Sequence, residues 1–254
     1  MALQSKSKIT YGIEINSLNS SIDFKNSGVG SPEFQATLTK GFYTLSDFAT
    51  EVANQLNIAD PSNTYACTVD RTTAGGLQNR ITITTSDTSM KLLFGTGSRF
   101  GSSAGPTLGF LAADYTGANT YTGYTTCGTV LIPTLVGYNY LSPNFMKKAF
   151  GSINVSASGV KESIVFQIQE FLQVQFKYEQ QTKVINEWTA FLTWAIQQKP
   201  IEFTPEISSP NSYYDVTLES TAQDGKGLAF QMTEMLPDFP FYYDTGLLKF
   251  RVIV

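Results

Sequence analysis

Along the first forty residues apolar side chains recur at every second position. Ile9, Tyr11, Ile13 and Ile15 alternate with Thr10, Gly12 and Glu14, the pattern of a strand with one face in a core, since successive side chains of a strand point to opposite faces. Ile22 and Phe24 open a second short strand, and after a Gly/Ser/Pro break at residues 27 to 32 the alternation returns at Phe34, Ala36 and Leu38, ending at Lys40-Gly41. The period then changes. Leu45, Phe48, Val52 and Leu56 are spaced by three or four, which places them on one face of a helix, with Thr44 as its N-terminal cap and Asp47 behind it.

Beyond Asp60-Pro61, Tyr65, Cys67 and Val69 face one way, and Ile81 and Ile83 answer them across Thr72 to Gly76, a hairpin with a glycine-containing loop. A short apolar strand from Met90 to Phe94 leads into the Gly/Ser-rich segment Gly95 to Thr107. That segment is expected to be mobile in a free subunit, because few of its residues can repay the entropy of ordering. Residues 117 to 160, rich in Gly, Thr, Tyr and Ser, read as a connector with short strands such as Thr129 to Ile132.

From Ile164 to Tyr178 the alternation is long. Ile164, Phe166, Ile168, Leu172, Val174, Phe176 and Tyr178 share one face, and Gln167, Gln169, Gln173, Gln175 and Lys177 share the other. Glu170 and Phe171 break the pattern, which predicts a bulge or bend there. At ~3.3 Å per residue the strand would extend about 50 Å, a length that suits tubes and rings. A helix follows from Thr182 to Gln198, with Val184, Ile185, Trp188, Phe191, Leu192, Ala195 and Ile196 as its buried stripe, Thr182 as its cap and Lys199-Pro200 as its stop. Tyr213 to Ser220 and Leu228 to Met235 flank Gln223-Asp224-Gly225-Lys226-Gly227, a hairpin signal, and a terminal strand from Leu247 to Val254 places Leu248, Phe250, Val252 and Val254 on one face and Lys249 and Arg251 on the other.

The pattern predicts a mainly β fold with two helices, in the α+β class. It divides into an N-terminal strand-helix-strand module over residues 1–116, the connector over 117–160, and a β-sandwich-like domain carrying one helix over 161–254.

Composition changes this picture in one respect. Only 15% of the 254 residues are charged, against roughly 25% in typical domains, so the surface is expected to be covered by copies of the chain or by partners. The net charge of −4 offers no basic footprint for a phosphate backbone, which argues against nucleic acid as a partner. MALQSKSK lacks the apolar core of a signal peptide and no apolar run reaches the ~20 residues of a membrane span, so synthesis in the cytosol and no membrane insertion are expected. Cys67 and Cys127, the only cysteines, lie in Thr-rich stretches and read as small apolar fillers.

There is no histidine, which removes Ser-His-Asp and Cys-His nucleophiles and His-containing zinc sites, each of which needs imidazole as base or ligand. A paired-carboxylate glycosidase needs two acids flanking a sugar cleft; Asp70, Asp87, Asp114 and Glu170 are candidates, yet no spacing fixes a pair. Gly95-Thr96-Gly97 with Gly101 has neither a GxGxxG spacing nor a Lys-Ser/Thr dyad, and Pro106 follows where a helix would begin, so it is not read as a phosphate loop. Tyr115, Tyr121, Tyr124, Tyr138 and Tyr140 could stack on sugars, although aromatic connectors more often pack between domains or subunits. The expectation is a chain that is not an enzyme and has no catalytic residue, metal site or cofactor. Trp188 reads as core, and Trp194 as a contact anchor or as packing against the C-terminal sheet.

The stretch from Ile9 through Phe24 to ATLTKGFYTLSDFATEVANQLN, then YACTVDR, ITITTS, MKLLFGTGS, LGF and DYTG, resembles a module common among virion proteins of tailed bacteriophages. FLTWAIQQKPIEFTPEI, VTLEST and YYDTGLLKFRVI, in that order, resemble phage tail components. The long strand, the single helix of the second half and the terminal strand are similar to distal tail proteins, β-sandwich ring formers that join the tail tube to the tip hub or baseplate. That resemblance implies a virion protein of the tail: a homo-oligomeric ring, a hexamer, contacting tube, hub and fibre proteins. The helix-containing first module departs from plain ring proteins and suits a fibre attachment or a peripheral tip subunit. A head decoration or minor capsid protein and a carbohydrate-binding receptor-recognition module are the alternatives. The terminal strand, through Leu248, Lys249, Phe250 and Arg251, and Trp194 are the expected interface.

Overall fold

The computed structural model describes residues 7–134, 144–155, 158–159, 161–219, 232–235 and 239–253. The hairpin loop expected at residues 223–227, with Leu228, and the side chains of Tyr138 and Tyr140 lie outside them. In chain order the elements are β1 (Lys8–Tyr11), β2 (Ile13–Ile15), β3 (Ser21–Asn26), β4 (Phe34–Thr37), β5 (Gly41–Tyr43), α1 (Leu45–Ala59), β6 (Tyr65–Asp70), β7 (Arg80–Thr85), β8 (Met90–Leu93), β9 (Asp114–Ala118), β10 (Thr120–Thr122) and β11 (Thr129–Leu131). There follow β12 (Asn144–Val155), β13 (Lys161–Gln175), β14 (Glu179–Gln180), α2 (Gln181–Lys183), a π-helical turn (Val184–Trp188), α3 (Thr189–Ala195), β15 (Ile201–Thr204), β16 (Tyr214–Leu218), β17 (Thr233–Met235), β18 (Phe239–Asp244) and β19 (Leu247–Val252). The fold is mainly β with two helical stretches.

The chain forms two compact units. The N-terminal unit is Ser7–Ile132 with the returning segment Pro200–Tyr213; the C-terminal unit is built on Pro133–Lys199 and Tyr214–Val254. The boundary expected at residue 116 is therefore moved. β9, β10 and β11 belong to the N-terminal unit, and the rest of the expected connector supplies β12, the partner of β13. β11 is the short strand expected from Thr129 to Ile132, whereas the Thr- and Gly-rich composition of β9 and β10 concealed them because they offer the core little apolar surface: Thr82 and Thr122 pair their hydroxyls at 2.8 Å across β7 and β10 on an exposed face.

In the N-terminal unit α1 lies over the sheets. Thr44 accepts a hydrogen bond from the Asp47 N–H, and Leu45, Phe48, Val52 and Leu56 are all buried, as the spacing required. They pack with Ile22, Phe24, Ile81, Ile83, Phe94 and Phe110 in one core. Asp60 closes the helix. Its carboxylate accepts from Asn26, Asn63 and the Tyr65 hydroxyl; burial alone would raise its pKa, but these bonds outweigh it and hold the group at about 2. The expected first strand is interrupted at Gly12, whose φ of +84° is strained for any side chain. Nor is β1 half-buried, because β11 and β15 flank it and its polar residues Lys8 and Thr10 are buried along with Ile9 and Tyr11.

The C-terminal unit holds an antiparallel sheet in the order β16-β19-β13-β12 and a smaller one in the order β14-β18-β17. β13 stops at Gln175, short of the expected end at Tyr178, because Tyr178 takes a left-handed φ of 61° that leaves the strand. The helix departs from its expected phase. Its N-cap is Gln180, without a side-chain cap bond, instead of Thr182. Around Val184–Trp188 the N–H of Thr189 bonds the Val184 carbonyl, i to i+5, and the Thr189 hydroxyl bonds the same oxygen at 2.9 Å. That turn leaves Ile185 and Ile196 exposed, while Trp188, Phe191, Trp194 and Ala195 are buried. Trp188 anchors the helix to the end of β13, with ring centroids 5.8 Å from Phe176 and 5.6 Å from Phe191.

Candidate functional site

The surface expected to make contacts is mostly interior. β19 is paired on both sides, Leu248 with Val174 and Phe250 with Leu172 of β13, and Phe250 with Leu218 of β16. Its backbone groups are thereby satisfied within its own sheet and cannot template a neighbour's strand. Leu248 and Phe250 are buried; Lys249 lies over the Phe171 ring at 4.2 Å, and Arg251 is half-buried opposite Phe171 and Thr217. Trp194 is likewise buried, with the Lys199 ammonium 4.6 Å from its ring centroid.

The exposed apolar surface lies one strand further out. β12 and β13 pair from Asn144↔Gln173 to Val155↔Lys161, while β19 accompanies β13 only from Phe171 to Gln175. Beyond Phe171, toward Lys161, the sheet is a two-stranded ribbon with no third strand among the described residues. Phe171, Leu172 and Val174 are buried, yet Phe150, Val155, Ile164, Val165, Phe166 and Ile168 are exposed, Phe166 to 73% and Ile168 to 62%. The register slips between Phe150↔Gln167 and Gly151↔Val165, leaving Phe166 as the extra residue of a bulge. The irregularity expected at Glu170 and Phe171 thus falls earlier in the strand, opposite Gly151, where a Cβ would collide with the Ile164 carbonyl. Glu170 forms an ion pair with Lys147 across the ribbon, and Lys148 lies over the Phe150 ring at 4.8 Å. A two-stranded ribbon by itself is marginal in water, which makes this exposed apolar patch the candidate contact surface among the described residues.

The acids that could have formed a catalytic pair each have partners of their own. Asp70 accepts from the hydroxyls of Thr72 and Thr73 and the Thr72 N–H, which holds its pKa at about 2. Asp87 accepts from the Ser27 N–H and hydroxyl, which lower its pKa. For Asp114 burial acts to raise the pKa, and bonds from Thr96 and the Gly95 N–H overcome it to leave the pKa lowered. Each carboxylate fastens a turn. Cys127 is buried and Cys67 half-buried, both as free thiols; burial raises both pKa values, that of Cys67 to about 12, so neither is a thiolate at neutral pH. Among the described residues no three Cys, Asp or Glu side chains gather where a metal ion could be held.

Sequence reasoning missed a buried charge network in the N-terminal unit. Arg71 grips Glu202 with two hydrogen bonds, Nε to Oε1 at 3.0 Å and Nη2 to Oε2 at 2.6 Å. Its Nη2 also reaches Ser46, which bonds the Tyr213 hydroxyl, and the guanidinium lies 3.9 Å from the Tyr213 ring centroid. Beside this pair the Lys8 ammonium donates to Asn79 Oδ1 at 2.9 Å, and Asn79 donates to Thr10. Burial lowers the pKa of Lys8 to about 8, against the pull of Glu202 and with the push of Arg71. The network fastens the returning segment Pro200–Tyr213 to α1 and β1.

Tyr115 and Tyr121 pack together at 5.7 Å, with Phe110 5.2 Å from Tyr115, and are no platform for sugar. Tyr124 alone of the three described connector tyrosines is largely exposed. The Gly/Ser-rich segment is not loose either. The Arg99 N–H and Nε bond Asp23, Nη1 bonds Thr37 and Nη2 bonds the Ala36 carbonyl, while Ala104 and Leu108 are buried in the core. No protein-family model matches this chain, and no curated protein matches it significantly.

Proposed function

We propose that the chain is a structural virion protein of a tailed bacteriophage, a distal tail or tail-tip ring subunit that joins tail tube to tip hub or fibres and acts by assembly without turnover. The observation that carries this reading is the β12–β13 ribbon, which exposes Phe166, Ile168 and their neighbours in a chain otherwise poor in surface charge. The likeness of its sequence segments to phage tail components supplies the particle class.

The test is the state of the purified subunit. Negative-stain imaging and native mass spectrometry should find closed rings, six subunits to a ring, and antibody labelling of particles should mark the tail. A chain that stays monomeric at every concentration and is absent from tails would overturn the reading. Label on the shell would favour the head component, and monomers that bind sugar would favour the receptor-recognition module.

A further inference from the structure

The N-terminal unit carries an open groove of about 450 Å³, within the range that holds a ligand-sized body. Leu18, Phe94, Phe100, Pro106 and Ala112 line it, together with Gly95, Gly101 and Ser103. Leu18 and Phe100 are largely exposed at its mouth, and Leu111 beside Ala112 is exposed too. The Ser103 hydroxyl is the one polar side-chain group in the lining, and it already accepts from the Gly105 N–H. A groove with so few polar anchors is suited to apolar side chains and ill suited to orienting a polar small molecule. It is also preformed, because Arg99 and Ala104 fasten its loop to β3 and to the residues of β4.

Resting on the reading of the chain as a self-assembling subunit, we propose that this groove receives the β12–β13 ribbon of a second copy, with Phe166 as the anchoring side chain. The chemistry matches: the ribbon presents apolar residues that the described residues of its own unit leave uncovered, with the most exposed aromatic among them at a bulge. The charges match as well. Asp114 bonds the Gly95 backbone at the groove and Glu33 bonds Ser98 of the same loop, and both have lowered pKa values that keep them ionised. Over its two strands the ribbon carries Lys147, Lys148 and Lys161 against Glu162 and Glu170, an excess of one positive charge, with Lys147 paired to Glu170. Arg99 near the groove is neutralised by Asp23. Ribbon and groove are different surfaces, so the contact is heterologous and repeats head to tail, the arrangement from which a ring closes. It requires nothing of β19.

Two substitutions separate the surfaces. Phe166→Asp spoils the ribbon at an exposed position, and Gly101→Trp fills the groove where an added Cβ meets nothing within 4 Å. Melting temperatures near that of the unaltered chain establish that each variant is folded; Phe166→Ala and Gly101→Leu replace either one that is not. Each variant alone should sediment as a monomer. An equimolar mixture should give dimers, because one variant retains a groove and the other a ribbon. Rings of the unaltered chain that persist in Gly101→Trp but are lost in Phe166→Asp would overturn the groove as the receptor while leaving the assembly reading intact. Rings that persist in both variants would overturn the inference outright. An unaltered chain that never forms rings would overturn the assembly reading beneath it.

Discussion

In the N-terminal unit the apolar residues that follow a clear period end up inside: Ile13, Ile15, Phe24, Leu45, Phe48, Val52, Leu56, Ile81 and Ile83 are all buried. In the C-terminal unit one strand of equally clear period is divided. Leu172 and Val174 of β13 are buried, and Ile164, Phe166 and Ile168, which continue the same period in the sequence up to and past the bulge, are open to solvent. The difference is in what covers them. The N-terminal strands have α1 or another sheet over their apolar faces, whereas beyond Phe171 β13 has, among the described residues, only β12 beside it. Periodicity reports which residues share a face, and says nothing of whether the layer that covers the face belongs to the same molecule.

The comparison can be broken first where it predicts the largest losses. Arg71→Met would leave Glu202 buried and unpaired, at a cost of about 3–5 kcal/mol, read from denaturant unfolding. Replacing both residues by Met should recover most of that loss, because an apolar pair of similar volume avoids the desolvation of two charges. A double variant no more stable than the single one would mean that Glu202 is not what Arg71 serves.

Phe191→Ala should cost roughly 3–5 kcal/mol, since Phe191 is fully buried against Trp188 in the C-terminal unit. Unchanged melting would show that this core is dispensable, and the division drawn along β13 would lose its buried half.

Lys8 gives a smaller, pH-dependent effect. Its pKa is about 8 in the fold, against ~10.4 for an unfolded chain. Below about pH 8 both states hold the proton and burial of the charge costs in full; between the two values only the unfolded state holds it, so stability rises with pH. Relative to Lys8→Met, which has nothing to titrate there, the unaltered chain should gain about 2–3 kcal/mol from about pH 8 to about pH 10.4. Parallel stability curves for the two chains would place Lys8 in solvent.

The sequence made some of this legible and hid the rest for identifiable reasons. The cap at Thr44, the α1 stripe and the Cys67↔Ile83 hairpin register were readable because propensity, period and turn chemistry agreed there. The helix after β14 kept its existence but lost its phase, since a π turn at Val184–Trp188 has no period of its own in the sequence. Nothing in the alternation singled out Lys8 or Glu202, and both are buried because every residue of β1 and β15 is. β12 was missed outright: Lys147-Lys148 and Gly151 look like a loop, and they sit on the ribbon where charge and a bulge are tolerated. Of the expected interface, Leu248 and Phe250 are core.

The smallest expected effect tests the comparison most directly. Phe166 and Phe191 are the same residue type in the same unit, one 73% exposed at a bulge and the other fully buried. If exposure decides, Phe166→Ala should change the unfolding free energy of the isolated subunit by less than about 0.5 kcal/mol, as surface substitutions do. The measurement is chemical denaturation at a concentration low enough to keep the subunit monomeric, because ring contacts would add stability by mass action and disguise the result. The same variant at high concentration should then fail to reproduce any gain in melting temperature that the unaltered chain shows on concentrating. A loss of about 2 kcal/mol or more at low concentration would be the signature of a buried aromatic. It would mean that Phe166 packs within its own subunit, and that the ribbon's apolar face belongs to the core after all.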